Sequence, residues 1–258
     1  MLQITQVRAF NDNYIWLVHA PRDAQQVVVV DPGDAAPVRR ALDQSGLQLA
    51  GILMTHHHAD HVGGVAELLR QHAVPAFGPA SEAIPGEHVR LREGDAAIFP
   101  SLDLRFEVLD VPGHTAGHIA YVGHDTVFCG DTLFSAGCGR LFEGTAEQMT
   151  QSLAKLAELP ETTQVYCAHE YTVANLKFSL AVEPDNTEAA TYLERCLALR
   201  AKNEATVPSN IRQERNVNPF LRCHRQTVKQ AAEQRAGRRL NPTEVFAVIR
   251  QWKDGFKS

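Results

Sequence analysis

The stretch Thr55-His56-His57-His58-Ala59-Asp60-His61-Val62-Gly63-Gly64 constrains this chain more than any other. Its H-x-H-x-D-H pattern places four potential metal ligands, His56, His58, Asp60 and His61, within six residues. Imidazoles and a carboxylate at that density are unfavourable neighbours unless a cation compensates them. The preceding run Gly51-Ile52-Leu53-Met54 is too short for a helix and reads as a buried strand. The cluster therefore sits where a strand gives way to a loop, a place where α/β folds put their chemistry. A dinuclear metal site is the expected compensation. His57 points away from its neighbours if the segment stays extended.

Three more candidates repeat the same grammar of apolar run, turn and ligand. His114 follows Leu104–Val111, Asp131 follows Val127-Phe128-Cys129-Gly130, and His169 follows Val165-Tyr166-Cys167-Ala168. The repetition predicts that parallel strand ends converge on one sheet edge. Five histidines and two aspartates result, enough for two ions with three protein ligands each and one shared carboxylate. Each ion then keeps an open position, as a catalytic site requires. Nitrogen and oxygen donors without thiolate suit Zn2+ and leave Fe or Mn possible. His118 reads equally as a support for the ligands or as structural. His19, His72, His88, His124 and His224 stand alone and read as surface or locally satisfied side chains.

Further strands are expected at Tyr14–Val18, Val27–Val30, Ile119–Val122 and Gln164–Cys167. Helices are expected at Ala36–Ser45, Val62–His72 and Ala146–Leu159, the last with a capping signal in Thr145 and Gln148. After about residue 172 strand signals vanish. A long helix over Asn186–Glu204, a polar Pro-containing stretch Val207–Pro219, a helical run Val228–Arg235 and a final helix from Asn241-Pro242-Thr243-Glu244 follow. The expected organisation is an α/β catalytic domain over 1–172 and a smaller helical domain over 173–258.

Net charge of −5 gives no support for a nucleic-acid partner or an anionic membrane surface. No apolar stretch is long enough to span a bilayer, and the N-terminus lacks the features of a signal peptide. Five scattered cysteines without a C-x-x-C pair read as reduced thiols, which points to the cytoplasm. A monomer is expected.

T-H-x-H-x-D-H-x-G-G, then P-G-H-T, G-D-T and A-H-E-Y, resembles the metallo-β-lactamase superfamily. Within it, Asn11-Asp12-Asn13-Tyr14, Gly137-Cys138-Gly139-Arg140, Glu143-Gly144-Thr145, His169-Glu170-Tyr171 and Arg250-x-x-Lys253-Asp254 resemble the glyoxalase II (hydroxyacylglutathione hydrolase) family across nearly the whole chain. The resemblance implies an αββα sandwich followed by an α-helical substrate domain. It assigns one metal to His56, His58 and His114, and a second to Asp60, His61 and His169, with Asp131 bridging both. Asp31 matches the superfamily's acidic position near the metals, where it would orient a ligand; a turn-forming Asp before Pro32-Gly33 is the alternative.

For a glutathione moiety the resemblance nominates Arg140, Tyr171, Arg250 and Lys253. Arg250 and Lys253 share one helix face, where they could grip a carboxylate or simply form a solvated basic face. Phe142 stands where some family members carry tyrosine, so a hydroxyl contact is lost there.

The implied reaction is hydrolysis of S-(2-hydroxyacyl)glutathione, with S-D-lactoylglutathione as the leading substrate, in methylglyoxal detoxification. Water held between two divalent cations ionises near pH ~7 against ~15.7 in bulk, and that hydroxide attacks the thioester beside Asp131 and Asp60. Cys138 reads as structural or as a support behind the ligands. The rivals are a lactonase or generic thioesterase, a single-iron persulfide dioxygenase, a nuclease, and a non-catalytic metal-stabilised binding protein.

Overall fold

Hydrophobic patterning decides the first sheet. In the computed structural model, which describes residues 2–256, the strands β1 (Ile4–Ala9), β2 (Asn13–Ala20) and β3 (Asp23–Val30) form an antiparallel meander. After α1 (Ala35–Ser45), β4 (Gln48–Leu53) joins β3 in parallel. The short α2 (Ala59–Val62) and α3 (Val65–Gln71) lead to β5 (Ala76–Pro79) and β6 (Val89–Leu91), which extend the parallel half. The sheet order is β1-β2-β3-β4-β5-β6.

Every residue of β2, and Val27–Val30 of β3, is buried, so both faces of this sheet are covered. On one face Val27, Val29 and Ile52 pack with Val38 and Leu42 of α1 and Val65 and Leu68 of α3. The other face meets a second sheet, whose members include β7 (Ala96–Phe99), β8 (Leu104–Asp110), β9 (Ile119–Gly123) and β10 (Thr126–Gly130). Phe99 of β7 stacks edge-on against Phe77 at 5.1 Å, and the buried Tyr121 of β9 donates to the carbonyls of Met54 and Phe77 at 3.0 and 3.1 Å. A sheet-on-sheet sandwich with helices outside follows from this burial.

The second sheet corrects one expectation. β7, β8, β9 and β10 pair antiparallel, not parallel. β8 and β10 each oppose β9, so both still run the same way and the chain leaves them at the same edge.

Two compact units are present, one from residues 1–110 and 115–130, the other from 111–114 and 131–258. In the second, the hairpin β11 (Leu133–Phe134) and β12 (Gly137–Cys138) precedes α4 (Ala146–Ala157), β13 (Gln164–Cys167), α5 (Thr172–Val182) and α6 (Thr187–Ala201). The expected capping boxes are formed at Thr145 with Gln148 and at Asn241 with Glu244.

The polar stretch Val207–Pro219 carries regular structure. It holds β14 (Ser209–Asn210), which pairs antiparallel with β13, and α7 (Ile211–Val217), capped by the Asn210 side chain. Strand signals therefore do not vanish entirely after residue 172. The segment reads as polar because one of the buried positions of α7 is Glu214, whose Oε2 accepts from Ala136 N at 2.8 Å and Asn218 Nδ2 at 3.0 Å. The helices α8 (Gln226–Ala236) and α9 (Pro242–Asp254) complete the unit.

Candidate metal centre and glutathione site

The first ligand group is built on the ends of β3 and β4. Asp31, just past β3, is buried and adopts a left-handed φ of 51°, a conformation that costs energy outside glycine. Its carboxylate accepts from the Thr55 amide at 2.8 Å and from Thr55 Oγ1 at 2.7 Å. His61 Nδ1 lies 3.0 Å from the same group. A carboxylate only accepts, so this contact puts the His61 proton on Nδ1 and its lone pair on Nε2, the form that can bind a cation. Asp31 is thus both a turn residue and an orienting partner for His61.

α2 carries Asp60 and His61 on one turn, and Asn13 of β2 donates to Asp60 Oδ2 at 3.0 Å. His61 Nε2 lies 3.6 Å from that same oxygen. His56 Nε2 lies 3.2 Å from His58 Nδ1, and the buried His118 stacks on His56 with centroids 4.5 Å apart. Packing beneath α2 demands a bare backbone, because a Cβ on Gly33 would fall on the Asp60 carbonyl. His57 turns to Glu82, with its Nδ1 3.1 Å from Oε2.

The second ligand group comes from the other unit. Asp131 presents one oxygen to each of two histidines, Oδ2 at 3.4 Å from His114 Nε2 and Oδ1 at 3.3 Å from His169 Nε2. All three residues are buried. His114 Nδ1 lies 2.9 Å from the Arg140 carbonyl, which puts the proton on Nδ1 and leaves Nε2 as the nitrogen able to bind a cation. Gly139 is required here, since a Cβ would strike the Asp131 carbonyl. Tyr171 lies flat on His169 at 4.8 Å, and Phe142, 61% exposed, meets the edge of His114 at 5.2 Å.

His56, His58, His61, Asp60, His114, Asp131 and His169 each belong to a group of donor atoms able to hold a metal ion. Imidazole and carboxylate donors with no thiolate fit a hard-to-borderline divalent cation.

The glutathione candidates behave differently. Arg250 is buried rather than solvated: its Nη1 donates to the Cys138 carbonyl at 2.7 Å and its Nη2 to Asp254 at 3.1 Å. Lys253 reaches the Ala174 carbonyl at 3.3 Å beside the ring of Phe178, and burial with the charges of Arg250 and Arg140 pushes its ammonium down to about 8. Arg140 is exposed, 3.6 Å from Asp254. The solvated-face reading of α9 is therefore wrong for Arg250 and Lys253. Burial pushes the Cys138 thiol up to about 11 despite the nearby guanidinium, so it is no nucleophile at neutral pH. Sequence reasoning gave no role to Asn13, Thr55 or Glu82; only Asn13 and Thr55 lay inside recognised motifs.

This fold and donor set are those of a superfamily. Residues 9–169 match the family model described as "Metallo-beta-lactamase superfamily", and residues 170–256 match "Hydroxyacylglutathione hydrolase C-terminus". Among solved structures, ETHE1 from Myxococcus xanthus aligns with a TM-score of 0.65 at 25% identity over 98% of both chains. The BLEG-1 B3 metallo-beta-lactamase shares the fold at a TM-score of 0.63 and 22% identity, covering 85% of this chain and 99% of its own. More narrowly, hydroxyacylglutathione hydrolase from Nitrosomonas europaea is 51% identical over 100% of this chain and 97% of its own. That from Alkalilimnicola ehrlichii is 56% identical over 98% and 99%. The chain belongs to the hydroxyacylglutathione hydrolase family.

Proposed function

We propose that the chain hydrolyses S-(2-hydroxyacyl)glutathione thioesters, foremost S-D-lactoylglutathione, to glutathione and a 2-hydroxy acid, the second step of methylglyoxal detoxification. The observation that carries the reading is Asp131, whose two oxygens each face one histidine, the disposition of a bridging carboxylate. In this reading one ion takes His56, His58 and His114, the other takes Asp60, His61 and His169, and Asp131 serves both. Zn2+ is the favoured metal, with Fe or Mn possible. Divalent cations supply a nucleophile of hydroxide strength at neutral pH and a Lewis acid for the thioester carbonyl.

The chain's own residues do the rest. Asp31 and the Arg140 carbonyl hold His61 and His114 with Nε2 as the ligating nitrogen. Asn13 aims the Asp60 carboxylate, which with Asp131 orients the attacking water. The leaving thiolate needs little assistance, because a thiol with a pKa of ~8.5 departs readily. No side-chain nucleophile is involved, in keeping with the high thiol pKa of Cys138. Arg140, Tyr171 and Lys253 receive the glutathione part, and Arg250 fixes the Cys138 backbone beneath them.

On this reading residues 1–172 carry the chemistry together with Arg140 and Tyr171 of the substrate grip, and 173–258 complete that grip. Its five cysteines are buried and form no disulfide, which supports a cytoplasmic setting, and among the described residues no helix is long and apolar enough to cross a membrane. We read the enzyme as a monomer, which sedimentation checks. The deciding experiment compares S-D-lactoylglutathione with an acyl-homoserine lactone on metal-quantified protein, with and without chelator. Chelator-sensitive thioester turnover is expected; turnover of the lactone alone would overturn the reading.

A further inference from the structure

Glu82 lies on the loop after β5, 7% exposed, and has no part in the proposed hydrolysis. A carboxylate that deep needs several partners. It accepts from Thr115 Oγ1 and, at 3.1 Å, from the Gly117 amide, while its other oxygen lies 3.1 Å from His57 Nδ1. The approach of Gly117 is so close that a Cβ there would come within 2.6 Å of Glu82 Cγ.

Two of the three contacts, those of His57 and Thr115, fall beside proposed ligands. His57 stands between His56 and His58 in the chain, and Gly117 precedes His118, whose ring stacks on His56 with an interplanar angle of 18°. Glu82 therefore ties the segment carrying His56 and His58 to the 115–118 turn. The other end of the ligand loop has its own supports, Asp31 on His61 and Asn13 on Asp60, and Asp31 also anchors Thr55 just before His56. Two buried carboxylates brace one loop, and only Glu82 reaches it through His57.

We propose that Glu82 is a positioning residue for the cation bound by His56 and His58, acting through His57 and the Thr115–Gly117 turn without ligating the ion itself. The proposal rests on the dinuclear reading above. It implies a selective effect: loosening the Glu82 clamp weakens one ion and spares the ion on Asp60 and His61.

The test titrates Zn2+-loaded protein with a chromophoric zinc chelator and counts equivalents released, comparing wild type with Glu82→Ala, Glu82→Gln and Thr115→Val. In Glu82→Ala one equivalent leaves at ~10-fold lower chelator, the scale of outer-shell substitutions, and the other leaves as in wild type. Glu82→Gln keeps an oxygen for Gly117 and Thr115 and falls between. Far-UV circular dichroism of the metal-free protein stays that of wild type. Release curves that superimpose on wild type, or two ions loosened alike, overturn the proposal. Should Glu82→Ala fail to fold, Thr115→Val removes a single arm and is judged by the same outcomes. A wild type holding one ion overturns the dinuclear reading instead, and Glu82 is then judged on whether that ion loosens; a wild type holding none overturns both.

Discussion

The ligand loop and the last helix carry their polar side chains in opposite ways. Along His56–His61 the candidate ligand atoms crowd one another, and partners such as Asp31 and Asn13 sit behind them to fix their aim. Along α9 the two nominated cations turn inward, Arg250 onto a backbone carbonyl and Lys253 between aromatic rings. Charge that crowds without mutual neutralisation marks chemistry. Charge already paired inside the fold marks architecture, and supplies binding only where a head group is left over.

The comparison breaks most visibly at Asp131. Replacing it with alanine removes the one carboxylate that faces both His114 and His169, so bound metal falls and turnover drops by at least ~10²-fold. Metal analysis alongside kcat checks this; a metal-replete, active Asp131→Ala protein would end the dinuclear assignment. Asp31→Asn is expected to cost ~10–100-fold in metal affinity while leaving substrate KM nearly unchanged, because the amide can offer its NH2 to His61 and lose the tautomer. An unchanged affinity would return Asp31 to a plain turn residue.

Arg250→Ala sharpens the other side. A solvated basic residue would be worth under ~0.5 kcal/mol on removal. A buried guanidinium that donates to the Cys138 carbonyl should cost about 1–3 kcal/mol in denaturant unfolding, since that carbonyl is left without its donor. KM for the glutathione thioester rises with it, and kcat changes less. A fully stable Arg250→Ala protein would mean that α9 is a binding surface and not a strut.

The two regions also differ in how far the sequence disclosed them. Spacing alone exposed the loop, because four ligand-type residues in six positions have few structural explanations. His114, Asp131 and His169 were visible through the strand-then-turn grammar, although β8 and β10 lie in an antiparallel sheet and only share a direction through β9. Glu82 was invisible: one acid in a polar loop carries no periodic signal, and its burial comes from contacts more than thirty residues away at Thr115 and Gly117. α7 was hidden for a related reason, a buried Glu214 where a helix pattern would show an apolar residue. Local pattern reports burial of apolar groups well and burial of satisfied polar groups hardly at all.

The smallest effect concerns Lys253, and its sign is fixed by the depressed pKa. With the folded ammonium pushed down to about 8 from an ordinary 10.5, the unfolded chain binds more protons between those values, so stability rises with pH across that window. Buried thiols such as Cys138 and Cys167, raised to about 11 and about 12, act the other way from about pH 9 upward, so the trend must be read as a difference. Lys253→Met lacks the desolvated charge. Its thermal midpoint should exceed that of wild type most at pH 7.5 and approach it by pH 9.5. If a glutathione carboxylate does engage Lys253, binding near pH 8 restores the ammonium, and calorimetry in buffers of different ionisation enthalpy registers uptake of a fraction of a proton. That uptake vanishes in Lys253→Met. Uptake that persists in the variant would place the proton elsewhere and leave Lys253, like Arg250, a part of the architecture.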